Sequence, residues 1–331
     1  MQTPQSKAST MSMNAFKGDA HLKSEMLDRV RSKSDAGQLI TASVLRWMPD
    51  QSLFSVCGAL VESGDNDVFV ERSGIPIALA LLCEGIVGMT TVTIPDKSRA
   101  IGYEFRGHPE LNRFALEWLD AVRPGADLSG VLPRYMVEFL AFMLSADFDQ
   151  APFISPAMRL VAERILANWT RELAGETIDQ KSWRGLRADA VAATEMISEA
   201  WAYPIAHFIE TLAWPVRDVA GEFMQPYSFV CTNWLAFVQR PYLAEEDRRI
   251  AELSLKGHLL AKQEEERTGP LSTEAYSALL DANPDIKAAM MFHTDPVTNA
   301  RVKEGQLRAF EATVPRMRRL MDRLLALIAA A

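Results

Sequence analysis

The pattern of apolar and polar residues along the chain changes near residue 107. Before this point, short apolar runs separated by turn residues predict strands and short helices. Residues 53–61 are predicted as a strand, and turn residues at 65–67 connect it to a second apolar segment in a first hairpin. A second hairpin is predicted over residues 90–105, so every predicted strand precedes residue 106.

Helices are predicted wherever apolar residues recur every three or four positions. The first helix carries Leu22, Met26 and Val30 at this spacing. Ser73 is predicted as the N-cap of a helix that begins near Ile75. After residue 107 the segments predicted as helices include 111–122, 127–144, 156–173 and 183–208.

Together these patterns predict a mainly α fold, with a small α+β N-terminal part followed by a helical bundle. The predicted organisation is a disordered leader at residues 1–14, the α+β part at 15–107, the bundle at 108–262 and C-terminal helices at 271–331. The charged segment between the last two ends in Gly269-Pro270, which indicates an exposed break.

The C-terminal helix carries the clearest apolar stripe. Its members alternate spacings of three and four, as in the a/d seam of a coiled coil, and are Leu307, Phe310, Val314, Met317, Met321, Leu324 and Ile328. Either this stripe packs onto its own domain, or it forms a homodimer seam or a dock for a partner helix. Arginines between the stripe positions predict a basic outer face. Thr313 and Pro315 indicate a fresh helix start or a kink.

Composition narrows the classes of partner. A net charge of −8 disfavours a nucleic-acid or anionic-membrane binder, so neither partner is expected. The three cysteines lie far apart without a CxxC motif, so a disulfide framework is not expected and the cytoplasm is the predicted location. The polar N-terminus lacks the apolar region of a signal peptide. The longest apolar run, residues 75–89, is shorter than the roughly 20 residues that cross a bilayer.

Several short motifs follow one another along the first 190 residues. They are Phe16-Lys17-Gly18-Asp19, Arg29-Val30-Arg31, Gly74-Ile75-Pro76, Arg123-Pro124-Gly125-Ala126-Asp127-Leu128-Ser129 with Pro133-Arg134-Tyr135, and Ala174-Gly175-Glu176-Thr177-Ile178 before Trp183. Their order resembles an uncharacterised family of bacterial and phage proteins with the pattern F-K-x-D, G-I-P and P-x-G-A-D-L-S-x-V-W-P-R-F. The family's alanine-rich helices are similar to putative immunity proteins, so the resemblance implies an immunity-like or phage/host-conflict role.

The chain departs from this family at two places. The family's strand has two cysteines, whereas this chain has only Cys57 there. A histidine of the following turn has no counterpart at residues 65–67. A thiol-pair or histidine role is therefore not carried over to this chain.

Catalytic fingerprints are missing from the sequence: it contains no Walker loop, no G-x-S-x-G and no H-E-x-x-H. The best candidate cluster is formed by Glu195, Glu199, His207 and Glu210. Carboxylates and a histidine that face into a bundle are what a di-iron or manganese centre needs. That pattern requires Glu-x-x-His on two helices, whereas here the order is reversed and occurs once. No cofactor and no metal are expected, with His207 and Glu210 as the metal-binding alternative to an ion pair or a core histidine.

Two charged residues of the family-like segment need partners. Glu84 lies in the apolar run 77–87, where a buried carboxylate is costly unless paired. Arg134 or Arg106 is its predicted ion-pair partner, and a general base is the alternative role for Glu84. Arg134 is interpreted either as a buried or capping arginine or as a contact for an anion or a partner.

These observations favour a non-catalytic cytoplasmic binding protein that acts through protein–protein contacts. The predicted partner-contact residues are Leu307, Phe310, Val314, Met317, Met321 and Arg134. One alternative is a metal-dependent helical-bundle enzyme that uses Glu195, Glu199, His207 and Glu210. Another is a self-assembling phage or scaffold component. The aromatic-rich segment 201–237 is predicted as core, or else as a partner site.

Overall fold

The computed structural model describes residues 14–42, 44–99 and 102–331. The predicted leader lies outside these residues, apart from Asn14. The α-helices are α1 (Ala20–Asp35), α2 (Val56–Val61), α3 (Asn66–Ser73), α4 (Ile77–Met89), α5 (Pro109–Asn112), α6 (Phe114–Ala121), α7 (Val131–Leu144), α8 (Pro156–Leu173), α9 (Gln180–Glu195), α10 (Tyr203–Thr211), α11 (Val216–Val219), α12 (Met224–Gln239), α13 (Glu245–Thr268), α14 (Thr273–Asp281), α15 (Pro284–Met290), α16 (Pro296–Arg308) and α17 (Phe310–Ala330). Short 3-10 turns occupy Ala15–Gly18, Pro49–Gln51, Ala151–Phe153, Arg240–Tyr242 and Phe292–Thr294.

The strands form two small antiparallel sheets. One pairs β1 (Trp47–Met48) with β2 (Leu53–Phe54), and the other pairs β3 (Thr91–Pro95) with β4 (Tyr103–Gly107). The second pair is the predicted hairpin, and its strand β3 packs beside α16. The predicted fold class, mainly α with a small α+β N-terminal part, is therefore confirmed.

The predicted first hairpin is wrong, because side-chain caps start helices where strands were expected. β2 stops at Phe54, and the hydroxyl of Ser55 accepts a hydrogen bond from the Gly58 amide, which begins α2. Asp65 accepts from the amides of Asp67 and Val68 and begins α3 in the same way. These caps outweigh the strand preference of the apolar residues that follow them.

Ser73 connects α3 to α4 rather than capping α4. Its hydroxyl donates to the Phe69 carbonyl at 2.7 Å and accepts from the Ile75 amide at 3.1 Å. Pro76 takes the N-cap position of α4 without a side-chain hydrogen bond. The predicted helix over 183–208 is likewise divided, into α9 and α10, by an irregular segment that starts after Glu195.

Within the described residues, no single helix is long and apolar enough to cross a membrane. The helices α3 and α4 meet that criterion only when they are taken together, and they are bent by 108° relative to each other.

One continuous apolar core runs through the N-terminal part, the bundle and the C-terminal helix. It includes Phe16, Leu79, Phe139, Trp234 and Met321, all at most 1% exposed. Helix α17 packs against α5, α6, α7 and α12, so the last helix covers elements that lie between residues 109 and 239. The predicted boundary at residue 107 is a change in secondary structure within this shared core.

The apolar stripe of the C-terminal helix belongs to this core. Met317, Met321, Leu324 and Ile328 are fully buried, and Phe310 is 7% exposed. The stripe therefore packs onto its own domain. Because these side chains are buried within the chain, they are not available on the surface for a homodimer or partner contact. Leu307 and Val314 are half-buried.

The break in this helical region lies earlier than predicted. Helix α17 begins at Phe310, directly after Ala309, and the Thr313 hydroxyl donates to the Phe310 carbonyl. Pro315 is thus an internal residue of α17 rather than its start.

The predicted basic outer face of α17 is used within the chain. Four of its arginines form ion pairs with carboxylates between residues 117 and 149, which are Arg316–Asp149, Arg318–Glu117, Arg319–Asp147 and Arg323–Glu138. The exposed pair Arg319–Asp147 contributes little to stability on its own, whereas the four pairs together favour one position of α17 on its neighbours. A free basic face is therefore not present on these four residues.

Candidate functional site

The structure does not bring the four predicted metal-site residues together. Glu195 ends α9 and Glu199 lies in the turn that follows, and both side chains are exposed. His207 and Glu210 lie on α10, which starts afresh at Tyr203 with Pro204 in its first turn. Across the described ranges, no three His, Cys, Asp or Glu residues are placed to hold a metal ion.

His207 instead lines a cavity of about 1120 Å³ between α10, α11, α12 and α13. We call it the His207 cavity. Tyr203, His207 and Thr211 line one side, and because they are four residues apart they share one face of α10. Phe208 on another face of α10 is fully buried in the core. The amphipathic pattern of α10 therefore fixes which residues reach the cavity.

Aromatic rings form a continuous wall along this cavity. The Tyr203 and His207 rings stack with centroids 5.8 Å apart. Phe229 of α12 meets His207 edge-on at 6.3 Å, and its ring is 5.8 Å from that of His258 on α13. His258 lines the same cavity, although no sequence spacing connects it to His207. The aromatic-rich segment 201–237 was the signal that pointed to this region.

Burial keeps the two histidines neutral near pH 7. It lowers the pKa of His258, and it is the largest cause that lowers the pKa of His207 from 6.5. Glu210 and Glu265 act in the opposite direction on the His207 pKa, whereas Lys262 lowers it further. The Nδ1 atom of His207 is buried and has no hydrogen-bond partner among the described residues. This atom is enclosed by the protein, so the cavity is lined by the rest of the imidazole ring.

Carboxylates supply the charge at the mouth of the cavity. Asp218 on α11 and Glu222 in the following turn both line it and are exposed. In the part of the chain that the structure describes, neither carboxylate forms an ion pair, and no lysine or arginine lines the cavity. The nearby Lys262 lies 3.9 Å from the carboxylate of Glu266. The cavity is therefore acidic at its mouth and uncharged at its histidines.

Trp214 forms the rim of the cavity and is 42% exposed. The guanidinium of Arg187 lies 3.1 Å from the centroid of its indole ring. The indole nitrogen of Trp169 donates to the Trp214 carbonyl at 2.8 Å. These contacts from α8 and α9 hold Trp214 in place, and they show that its ring face takes a guanidinium in this fold.

The predicted ion pair of Glu84 is wrong. Its Oε1 atom accepts from the Cys57 amide at 2.6 Å, and Oε2 has no hydrogen-bond partner among the described residues. Burial raises the pKa of Glu84 to about 7, so a backbone amide rather than a cation accommodates it. Arg106 pairs with Glu104 at 2.8 Å. Arg134 is exposed on α7, so the interpretation as a buried arginine is also wrong.

The His207 cavity therefore combines an aromatic wall, two neutral histidines and an acidic mouth. It also exceeds the roughly 300–1,000 Å³ of ordinary ligand pockets. Such an arrangement holds a molecule by stacking, hydrogen bonding and charge. Comparison with protein-family models, with curated proteins and with solved structures finds no match for this chain, so the interpretation of the cavity depends on its own residues.

Proposed function

We propose that the chain is a non-catalytic binding protein that holds part of a protein partner in the His207 cavity. The observation that carries the proposal is the cavity itself, an open pocket of about 1120 Å³ that joins an aromatic wall to exposed carboxylates. Aromatic walls with a few placed polar groups are the lining typical of sites that hold a ligand or the side chain of a partner. The partner contact thus moves from the predicted C-terminal stripe, which is covered, to this cavity.

The residue types around the cavity support binding rather than catalysis. The cavity lacks the predicted set of metal ligands, because Glu195 and Glu199 are exposed and do not line it. The three cysteines, Cys57, Cys83 and Cys231, are buried free thiols, which supports the expected cytoplasmic location. An immunity-like or phage/host-conflict role stays a prediction from the family resemblance.

A variant that obstructs the cavity tests this proposal. Gly221 lines the cavity, and a Cβ atom there meets no atom within 4 Å. Gly221→Trp therefore fills the mouth without disturbing the core. Gly185→Trp is the matched control, because a Cβ at Gly185, on the exposed side of α9, also meets nothing within 4 Å.

The experiment is an affinity capture from the native host with the tagged wild-type chain and both variants. Captured proteins are identified by mass spectrometry, and folding of each variant is checked by circular dichroism. We expect one partner that the wild-type chain and Gly185→Trp retain and that Gly221→Trp loses. Retention by Gly221→Trp would place the contact elsewhere on the surface, and capture of nothing by the wild-type chain would overturn the stable-partner proposal.

A further inference from the structure

The charged groups around the His207 cavity favour one sign of charge on a bound ligand. Its lining residues include the carboxylates of Asp218 and Glu222 but, among those that the structure describes, no cationic side chain. Glu210 and Glu265 lie close enough to act on His207 electrostatically. Two cations oppose them, Lys262 near His207 and Arg187 against the Trp214 ring at the rim. With four carboxylates against two cations the fixed charge around the cavity is negative, so a cation gains from it whereas an anion loses.

The aromatic wall adds a second, independent attraction for a cation. Phe229 and Tyr203 present ring faces or edges to the cavity, and Trp214 stands at its rim. Aromatic faces attract ammonium and guanidinium groups through the ring quadrupole, most strongly where water is displaced. The close approach of Arg187 to the Trp214 ring is an intramolecular example of this contact.

A second cavity next to the first indicates which kind of group would lie beside the cation in a ligand. It measures about 330 Å³, shares Phe229 and His258 with the His207 cavity, and is lined by apolar residues such as Trp201, Leu255 and Val302. An apolar group next to the cation would enter it while the cation stays in the larger, acidic cavity. The two cavities thus match a positive group on an apolar stem or beside an apolar neighbour.

We propose, on the basis of the proposed binding function, that the His207 cavity takes an organic cation, a guanidinium or ammonium group flanked by apolar atoms. In a protein partner this is an arginine or lysine beside an apolar residue. The carboxylates of Asp218 and Glu222 hold the charge, and the rings of Tyr203 and Phe229 contact its stem.

Three peptides that differ only in the central side chain test the proposal. They are acetylated and amidated Phe-Arg-Phe, the same peptide with citrulline, and the same peptide with glutamate. Citrulline is neutral and nearly isosteric with arginine, with a carbonyl oxygen in place of one guanidinium nitrogen, so it removes the charge at almost constant shape. Phenethylamine serves as a free amine, which distinguishes a small molecule from a peptide as the source of the cation.

Binding is measured by NMR from the imidazole signals of His207 and His258, assigned with single His→Gln variants. We expect the arginine peptide to bind about ten-fold more tightly than the citrulline peptide, and the glutamate peptide to bind most weakly. The double variant Asp218→Asn/Glu222→Gln should lose this preference. The control Glu163→Gln removes an exposed carboxylate on α8, away from the cavity, and should keep it.

The outcomes separate this inference from the proposed function. Phenethylamine binding as tightly as the arginine peptide, with the same dependence on Asp218 and Glu222, supports a cation and assigns it to a small amine. Equal affinity for arginine and citrulline, or tighter binding of the glutamate peptide, overturns the cation but leaves the cavity as a binding site. No shift with any probe at millimolar concentration also overturns the cation, while the Gly221→Trp capture experiment still decides the proposed function.

Discussion

Arg316 of α17 holds the carboxylate of Asp149 with two hydrogen bonds, from Nε at 2.9 Å and from Nη2 at 2.6 Å. The indole nitrogen of Trp234 donates to the same carboxylate at 3.0 Å. Asp149 follows α7, Trp234 lies on α12 and Arg316 lies near the start of α17, so one carboxylate ties three parts of the bundle together. The Arg316 hydrogen bonds are the main cause that lowers the Asp149 pKa below 3.8.

Asp149→Ala should destabilise the protein far more than the removal of an exposed carboxylate does. The variant leaves the Trp234 N–H and the Arg316 guanidinium without their acceptor, which costs about 2 kcal/mol of unfolding free energy. Asp147→Ala is the matched control, because its partner Arg319 and Asp147 itself are more than half exposed, and about 0.5 kcal/mol is expected there. Urea unfolding of both variants measures the two values, and equal values would contradict a structural role for Asp149.

Gly58→Ala should be severely destabilising, although alanine is the better helix former. A Cβ at Gly58 would lie 2.0 Å from the backbone oxygen of Arg46, which also accepts a hydrogen bond from the Ser55 amide. We expect a loss of more than about 3 kcal/mol of unfolding free energy or a failure to fold. Gly185→Ala, in the interior of α9 with open space around it, should instead gain about 0.5–1 kcal/mol. Thermal unfolding of the two variants gives both signs.

Met317→Ala tests whether the C-terminal stripe is core. Met317 is fully buried, so its truncation should lower the unfolding free energy by about 2–5 kcal/mol. Its effect on the molar mass in solution should be nil, because the stripe is already covered within one chain. Light scattering and urea unfolding of the wild-type chain and the variant check the two statements. A fall in molar mass without a loss of stability would favour the homodimer seam.

The sequence predicted correctly those elements whose apolar residues and turn residues lie together in one short segment. The hairpin β3–β4 and helix α4 were found because their apolar runs and turn residues are contiguous in sequence. Residues 53–61 were mistaken for a strand because the apolar signal of a short buried helix equals that of a strand, and the caps at Ser55 and Asp65 decided between them. The wall that joins His207 to His258 could not be predicted, since tertiary packing alone brings these residues together.

The partner of Glu84 was missed for a related reason. A backbone amide, here that of Cys57, has no residue type that marks it in a sequence, whereas Arg106 and Arg134 were visible candidates. The arginines of α17 show the same limit of prediction. The carboxylates that pair with them lie far away in sequence, between residues 117 and 149. Helical spacing shows which residues share one face of a helix, but it does not show which other part of the chain packs against that face.

Glu84→Gln should change how stability depends on pH. The folded pKa of Glu84 is raised to about 7 from 4.5, so the unfolded chain releases this proton first as the pH rises. The wild-type chain should therefore lose about 3 kcal/mol of unfolding free energy between pH 4.5 and 7, relative to the variant. Glutamine retains an acceptor for the Cys57 amide and does not ionise. Urea unfolding of both proteins at pH 5 and pH 7.5 measures the difference, and a difference that stays constant with pH would show that Glu84 is charged when folded.

The pKa of His207 should respond in opposite directions to its neighbours. Burial places it below 6.5, Lys262 lowers it further, and Glu210 and Glu265 raise it. Lys262→Gln should therefore raise the His207 pKa, and Glu210→Gln should lower it, each by a few tenths of a unit in this partly solvated cavity. NMR titration of the His207 imidazole signal in the wild-type chain and in both variants measures the shifts. A His207 that titrates above 6.5 in the wild-type chain would contradict its burial in the wall of the cavity. It would also remove the uncharged surface against which a bound cation is expected to lie.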